Sequence, residues 1–400
     1  MCALLLVSAR SQGADLNIKP SIALSEEVTD NIRETPGNKR TEYITHISPG
    51  FTSIYMGPYW NWDATYTFNY LNYARKSNAN GYTHLASLKG NISVVENFLY
   101  LDVSDTYQRV STDVARDAAT QSSSFLNQTD QNIATVSPYL FWRLGEKSTL
   151  KTGYRYTDTR YWGVGIEKQE HSAFADFSRE LTSRLSLSAG YSFTLSESLV
   201  EQYNTHNVYG GFNYQYADKS SIHATIGNNW QKFSSGKNTT FYSWNIGIVH
   251  DFDIVVATLE TSSQTTTDPK ELSTTLTSYS GKLDKALQRG NIGLSTTYSK
   301  YANSKTGMNN HRKMSYSGYG RYEVIPDLNT NLAVTAERSY MNTTSDFPYQ
   351  LSVTTGLGYA FNHDLSLNLN YTYYTKRNDL DDATGAVDIN RVILEVKKVF

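Results

Sequence analysis

The sequence predicts an all-β fold, a transmembrane antiparallel outer-membrane β-barrel of about 20 strands, with 18 as the alternative count. Three observations predict it. The first is strict alternation: in Leu365 to Tyr374, residues Leu365, Leu367, Leu369, Tyr371 and Tyr373 point one way, and Ser366, Asn368, Asn370 and Thr372 point the other. The second is repetition, because such segments of roughly ten residues, apolar on one face and polar on the other, recur along the chain between turn signals. The third is composition. Mean hydropathy is negative, and apolar runs are short, Ile254 to Leu259 being among the longest. A membrane-spanning helix needs about 20 apolar residues, so helical spanning is excluded. Yet the chain carries 31 Tyr, 15 Phe and 6 Trp. Interfacial aromatic girdles around a wet lumen account for both facts.

Four hundred residues are compatible with one all-β domain. Lys and Arg total 36 against 38 Asp and Glu, a balance that gives no reason to expect nucleic acid as a partner. Cys2 is the single cysteine, so no internal disulfide or cysteine metal cluster forms. Residues 1–14 read as a signal peptide: Ala3 to Val7 is a short apolar core, and Val7-Ser8-Ala9 and Gly13-Ala14 resemble cleavage sites. The core is short and lacks a basic start, as from a truncated or misplaced beginning. Residues 15–400 read as a single barrel domain exported to the bacterial outer membrane.

In order, a strand over 17–29 leads to a polar loop, Asp30 to Arg40, with Pro36-Gly37 as its turn signal. A second strand runs over 41–56 and ends at Gly57-Pro58. The third, 59–74, sets Trp60, Trp62, Ala64, Tyr66, Phe68 and Tyr70 against Asn61, Asp63, Thr65, Thr67 and Asn69. Strands over 82–95 and 97–110 precede the longest irregular stretch, Ser111 to Asp130. Long loops face outside in such barrels, so this stretch sets the orientation. Further strands are expected over 132–143, 148–161, 169–181, 185–198, 204–217, 220–233, 240–252, 254–266, 272–285, 290–303, 312–324, 329–342, 348–362, 364–377 and 388–400. An even count leaves both termini in the periplasm.

The chain ends in Phe400, with Val392, Leu394 and Val396 on its face. Bacterial outer-membrane proteins commonly end this way, and the resemblance implies recognition by the barrel assembly machinery. Lys398 falls on that same face, departing from its apolar pattern, and is tolerable if its ammonium snorkels to water. Near the other end, Ser-Ile-Ala-Leu-Ser-Glu-Glu-Val-Thr-Asp-Asn-Ile (21–32) carries Asp30-Asn31 after a first strand. Thr41 to Phe51 follows with the step Ile47-Ser48-Pro49-Gly50, and then comes Leu71-Asn72-Tyr73-Ala74. This first quarter resembles the β-barrel porins called porin-2-like, which include outer-membrane proteins associated with exosortase (PEP-CTERM) exopolysaccharide systems. The resemblance implies an envelope barrel linked to polysaccharide production or export, and it brings no functional residue with it.

Alternation places Lys151, Arg155, Asp176, Glu180, Lys313, Arg321, Glu323, Glu337, Arg391, Glu395 and Lys397 on the lumen face, with Tyr73, Tyr209, Tyr301 and Tyr319. Such a mixed-sign lining passes polar or sugar-like solutes with little ion selectivity. The same charges equally serve by pairing across strands to hold the wall, and the tyrosines by packing. Asp379-Leu380-Asp381-Asp382 offers oxygen ligands but lacks the Glu of a calcium loop, and the eight His are scattered singly. No metal or other cofactor is expected. Nor is an enzyme: there is no Gly-x-Ser-x-Gly elbow, and His171 points away from Ser172 and Asp176. The expected function is therefore a porin-like channel. A structural or adhesive barrel and an outer-membrane hydrolase are the alternatives, with outer-membrane lipid and polysaccharide as the partners.

Overall fold

The computed structural model describes residues 14–112, 128–341, 348–362, 364–378 and 385–400. Twenty strands form one sheet. They are β1 (Asp15–Thr29), β2 (Glu42–Met56), β3 (Trp60–Tyr73), β4 (Gly81–Val95), β5 (Leu99–Ser111), β6 (Gln128–Arg143), β7 (Ser148–Trp162), β8 (Lys168–Thr182), β9 (Leu185–Ser198) and β10 (Tyr203–Ala217). The second half comprises β11 (Ser220–Phe233), β12 (Asn238–Asp251), β13 (Val256–Thr266), β14 (Thr274–Leu287), β15 (Gly290–Asn303), β16 (Asn309–Ile325), β17 (Leu328–Met341), β18 (Tyr349–Ala360), β19 (Leu365–Arg377) and β20 (Val387–Val399). Each strand pairs antiparallel with the next, and β1 also pairs with β20, from Ser21↔Val399 to Thr29↔Arg391. That last ladder closes the barrel and removes both sheet edges, as a spanning sheet must. Among the described residues there is no helix.

The strands run 11 to 17 residues. Most therefore exceed the 9–11 that a tilted strand needs to cross the hydrocarbon, and the excess stands above the membrane. Short turns gather at one end. Asn97, Lys219, Asp253 and Asp327 adopt positive φ there, beside Gly145 at φ 118°, the backbone twist that tight hairpins require. Long connections gather at the other end, so β1 begins and β20 ends at the short-turn end, the periplasmic one in barrels of this kind. Of the Ser111–Asp130 stretch, residues 113–127 lie outside the described residues, as do residues 1–13 of the expected signal segment and Asp379–Asp382. Strand β6 starts at Gln128, inside the expected loop, because Ser111↔Gln128 extends its ladder with β5.

Ladder register fixes the facing. Leu365, Leu367, Leu369, Tyr371 and Tyr373 share one face of β19, with Leu357, Val353 and Leu351 of β18 opposite. Ile246, Ile248, Phe212 and Tyr214 lie on the same outward set, and Asn245, Asn213 and Gln215 on the reverse. Loop packing shows which face is inner. Ile32, in the loop after β1, is buried against Ile44, Leu71 and Tyr73, all on the hydroxyl and amide face. A mouth loop can cover only the inner wall. Outside, aromatics cluster at the short-turn rim: Tyr55 stacks on Trp62 with centroids 4.5 Å apart, and Trp60 packs edge-on at 4.8 Å from Trp62. Lys398 does snorkel, its Nζ lying 3.5 Å from Asp364 in the turn before β19.

Twenty strands spaced 4.8 Å apart and tilted near 40° give a backbone radius of roughly 20 Å. Side chains fill a barrel of about eight strands and leave a channel at 16 to 18. A wall this wide encloses water unless chain folds into it.

Candidate functional site: the inner wall

Every lumen candidate falls on the inner face by register. Lys151 and Arg155 are on β7, Asp176 and Glu180 on β8, Tyr209 on β10 and Tyr301 on β15. Lys313, Tyr319, Arg321 and Glu323 are on β16, Glu337 on β17, and Arg391, Glu395 and Lys397 on β20. They do not form one site. They are distributed around the wall, and Lys151, Lys313, Glu337 and Arg391 each have an opposite charge within 4 Å. Lys151 Nζ lies 3.7 Å from Asp102 and 3.6 Å above the Tyr139 ring. The Arg155 guanidinium lies 5.2 Å from the Phe174 ring centre. Lys313 pairs with Glu337 at 2.9 Å, and Asn368 donates to Glu395 at 3.3 Å. Lys397 lines a shallow recess at the closing seam with Asn17, Lys19 and Ser21. Arg321 and Glu180 are solvent-exposed near the short-turn end.

At that seam Glu27 is fully buried. It forms an ion pair with Arg391 of β20 at 2.9 Å and lies 3.2 Å from His46 Nε2 of β2. A carboxylate without water is tolerable only with partners on both sides, and here they come from the two strands that flank β1. Sequence reading missed Glu27, since the pair Glu26-Glu27 offers two registers. Alternation from Ser21 through Ala23, Ser25 and Thr29 contains the signal.

Two inner-wall constellations repeat. On β8, β9 and β10, Asp176 stands opposite Gly190, and Gly190 opposite Tyr209, whose hydroxyl donates to Asp176 at 2.7 Å. On β14, β15 and β16, Asp284 stands opposite Gly293, and Gly293 opposite Tyr319, whose hydroxyl donates to Asp284. The glycine is required in both. A Cβ there would fall 2.5 Å from the Tyr ring, so the ring lies flat across the bare backbone instead of reaching into the lumen. A cation flanks each carboxylate: Lys151 opposite Asp176 in the ladder, and Lys282 2.9 Å from Asp284. Of the tyrosines named from the sequence, Tyr209 and Tyr319 make these ledges. Tyr73 is buried under the first loop, and Tyr301 stands opposite His311. A cavity of about 830 Å³ lies along the β3–β7 wall, with Asp63, Lys89, Asn91, Asp102 and Arg155 on it.

Loops narrow the outer mouth. The segment between β13 and β14, residues 267–273, uses backbone carbonyls as acceptors: Pro269 from Ile166 N–H at 2.8 Å, Leu272 from Tyr203 Oη at 3.2 Å, and Ser273 from Ser304 N–H at 2.9 Å. Glu201, between β9 and β10, accepts from Lys305 at 2.5 Å and from Ser235 N–H at 3.0 Å. These bonds from Lys305 and Ser235 hold its carboxyl below the usual range for a glutamate. Loops from β7 to β16 are thus tied to one another above the lumen.

The sequence matches no protein-family model and no curated protein. Its fold is shared with a point mutant of the ferric enterobactin receptor PfeA from Pseudomonas aeruginosa, at 9% identity and a TM-score of 0.55 over 96% of this chain and 80% of that one. The FrpB iron transporter from Neisseria meningitidis gives 9% and 0.56 over 96% and 81%. The ferric-catecholate import receptor Fiu from E. coli gives 8% and 0.54 over 96% and 82%. At these identities the likeness carries the fold alone: a closed, antiparallel, 20-strand outer-membrane barrel like those of outer-membrane receptors.

Proposed function

We propose that this barrel is a passive outer-membrane channel for polar solutes, with saccharides as the solute class. The observation that supports the saccharide reading is the repeated Asp–Gly–Tyr ledge, at Asp176/Gly190/Tyr209 and again at Asp284/Gly293/Tyr319. A flat ring held against the wall offers a stacking face to a sugar ring, and the carboxylate and its flanking lysine offer acceptor and donor to hydroxyls. Charges that pair on the wall make no single-sign constriction, so the passage discriminates weakly between anions and cations. Import of a ferric catecholate, the activity named for Fiu, concerns an anion, and a wall of mixed sign suits a neutral solute better. The resemblance of residues 21–32 and 41–51 points the same way, toward exopolysaccharide production or export. No catalytic step is part of this reading. The exposed Phe400 after Val392, Leu394 and Val396 is the expected handle for the assembly machinery.

Interruption of single-channel current by linear neutral oligosaccharides tests the proposal. Wild-type protein is expected to show sugar-dependent blocking events. Because an aromatic contact contributes about 0.5–1.5 kcal/mol, Tyr209→Ala with Tyr319→Ala should weaken blocking by up to about tenfold without closing the pore. Blocking unaffected by both substitutions, in a barrel that conducts, would contradict the saccharide reading.

A further inference from the structure

We propose that the outward face of β15 to β19, at the long-loop end, binds a phosphorylated lipid headgroup of the outer leaflet. Four cations meet there. Lys300 of β15 stands directly opposite Arg312 of β16. Arg338 of β17 is opposite Met314, two places along from Arg312, and it faces Tyr349 of β18. Tyr349 in turn faces Arg377 of β19. All four alternate with inner-wall residues, Arg312 lying between His311 and Lys313 and Arg338 between Glu337 and Ser339, so all four point outward.

Like charges directly opposite in a ladder destabilise it. Neither Lys300, Arg312, Arg338 nor Arg377 has a carboxylate in ion-pair contact among the described residues. The acid nearest by register on this face, Asp388, stands opposite Thr375, accepts from Tyr373 Oη at 3.1 Å and interacts with the Arg377 charge from beyond ion-pair distance, leaving Lys300, Arg312 and Arg338 without an acid among the described residues. The rest of the rim shows a different solution. Outward-facing Arg109 and Arg160, near the same end of β5 and β7, each hold an aspartate, Asp130 at 2.7 Å and Asp158 at 2.8 Å. Arg377 Nε is shielded from solvent and has no hydrogen-bond partner.

The height of the cluster identifies the missing partner. Lys300, Arg312 and Arg338 sit three residues from the ends of their strands, and Arg377 is the last residue of β19. Tyrosines hold them there: Lys300 Nζ lies 5.7 Å from the Tyr298 ring centre, and Arg338 Cζ lies 4.5 Å from Tyr340 and 5.1 Å from Tyr349. Aromatic belts mark the headgroup level of a bilayer. A phosphate monoester on a lipid meets these cations at that level, and its oxygens match the guanidinium fork. Side chains mounted on rigid strands and aimed at the leaflet suit an anion delivered by lipid better than one arriving from solution.

The purified full-length barrel in nonionic detergent, titrated with diphosphorylated lipid A, its dephosphorylated counterpart or inorganic phosphate and read by native mass spectrometry, tests this. Phosphorylated lipid is expected to remain bound, and Arg312→Gln with Arg338→Gln to weaken it about tenfold. Arg109→Gln with Arg160→Gln should leave it unchanged. Folding of each variant is checked by heat-modifiable mobility, and Lys300→Gln with Arg338→Gln replaces the first pair should that one not fold. Equal retention of dephosphorylated lipid, unchanged binding in the folded variant, or displacement of the lipid by millimolar inorganic phosphate would each overturn the proposal. Conductance is not read, so the outcome is independent of the channel reading.

Discussion

At the scale of single residues, facing decides what a substitution costs. Leu369 and Asn370 are chain neighbours near the middle of β19, one outward and 42% exposed, the other inward beside Gly356. An arginine in the lipid-facing midplane costs about 2–4 kcal/mol, whereas the same group in a wet lumen costs little. Leu369→Arg is therefore expected to lower the yield of folded, heat-modifiable barrel sharply, and Asn370→Arg to leave it near wild type. Equal losses would put the register of β19 wrong by one place. Most of this level was legible in the sequence, because a period of two leaves each strand only two choices and Leu or Tyr against Asn or Thr selects one. Glu26-Glu27 shows where it is easily missed: both residues are acidic, so facing has to be carried in from Ser21, Ala23, Ser25 and Thr29, and the partners His46 and Arg391 on the flanking strands come only with the ladders.

At the scale of elements, strands were readable and loops were not. The β13–β14 segment contains Asp268-Pro269-Lys270-Glu271, which reads as an ordinary solvated loop. It is tied over the mouth by the carbonyls of Pro269, Leu272 and Ser273 together with the side chains of Glu271, which accepts from Asn303, and Ser273, which accepts from Gln231. The backbone acceptors among these have no residue signature. The outward cluster of Lys300, Arg312, Arg338 and Arg377 was hidden for a related reason, since it exists only once four ladders are in register. Among the mouth contacts, Glu201 with Lys305 is an ion pair whose carboxyl is held low. A carboxyl held below its ordinary 4.5 contributes fully above that pH, and the contribution is lost as pH falls through the lower folded value. Acidification below about 4.5 should thus free these loops and increase open-channel current noise. Glu201→Gln should be noisy already at neutral pH and change little on acidification. Noise that rises with acid equally in both proteins would remove Glu201 from that role.

At the scale of the whole molecule, strand number governs the rest. A ring of 20 strands holds a wall too wide for its own side chains to close, so on the proposed channel reading passage depends on loops at one end. The inner wall is lined by hydroxyls, amides and locally paired charges, and the outer wall by Leu, Val, Ile and aromatics, as a water-filled hole in a bilayer demands. Single-channel conductance of the refolded barrel in a planar bilayer, with the β13–β14 segment intact and with residues 267–273 replaced by a two-residue turn, tests that account most directly. It predicts discrete, weakly ion-selective steps for the intact barrel and larger steps once the segment is shortened. A folded barrel that carries no current in either form would contradict it and leave a closed, structural barrel in its place.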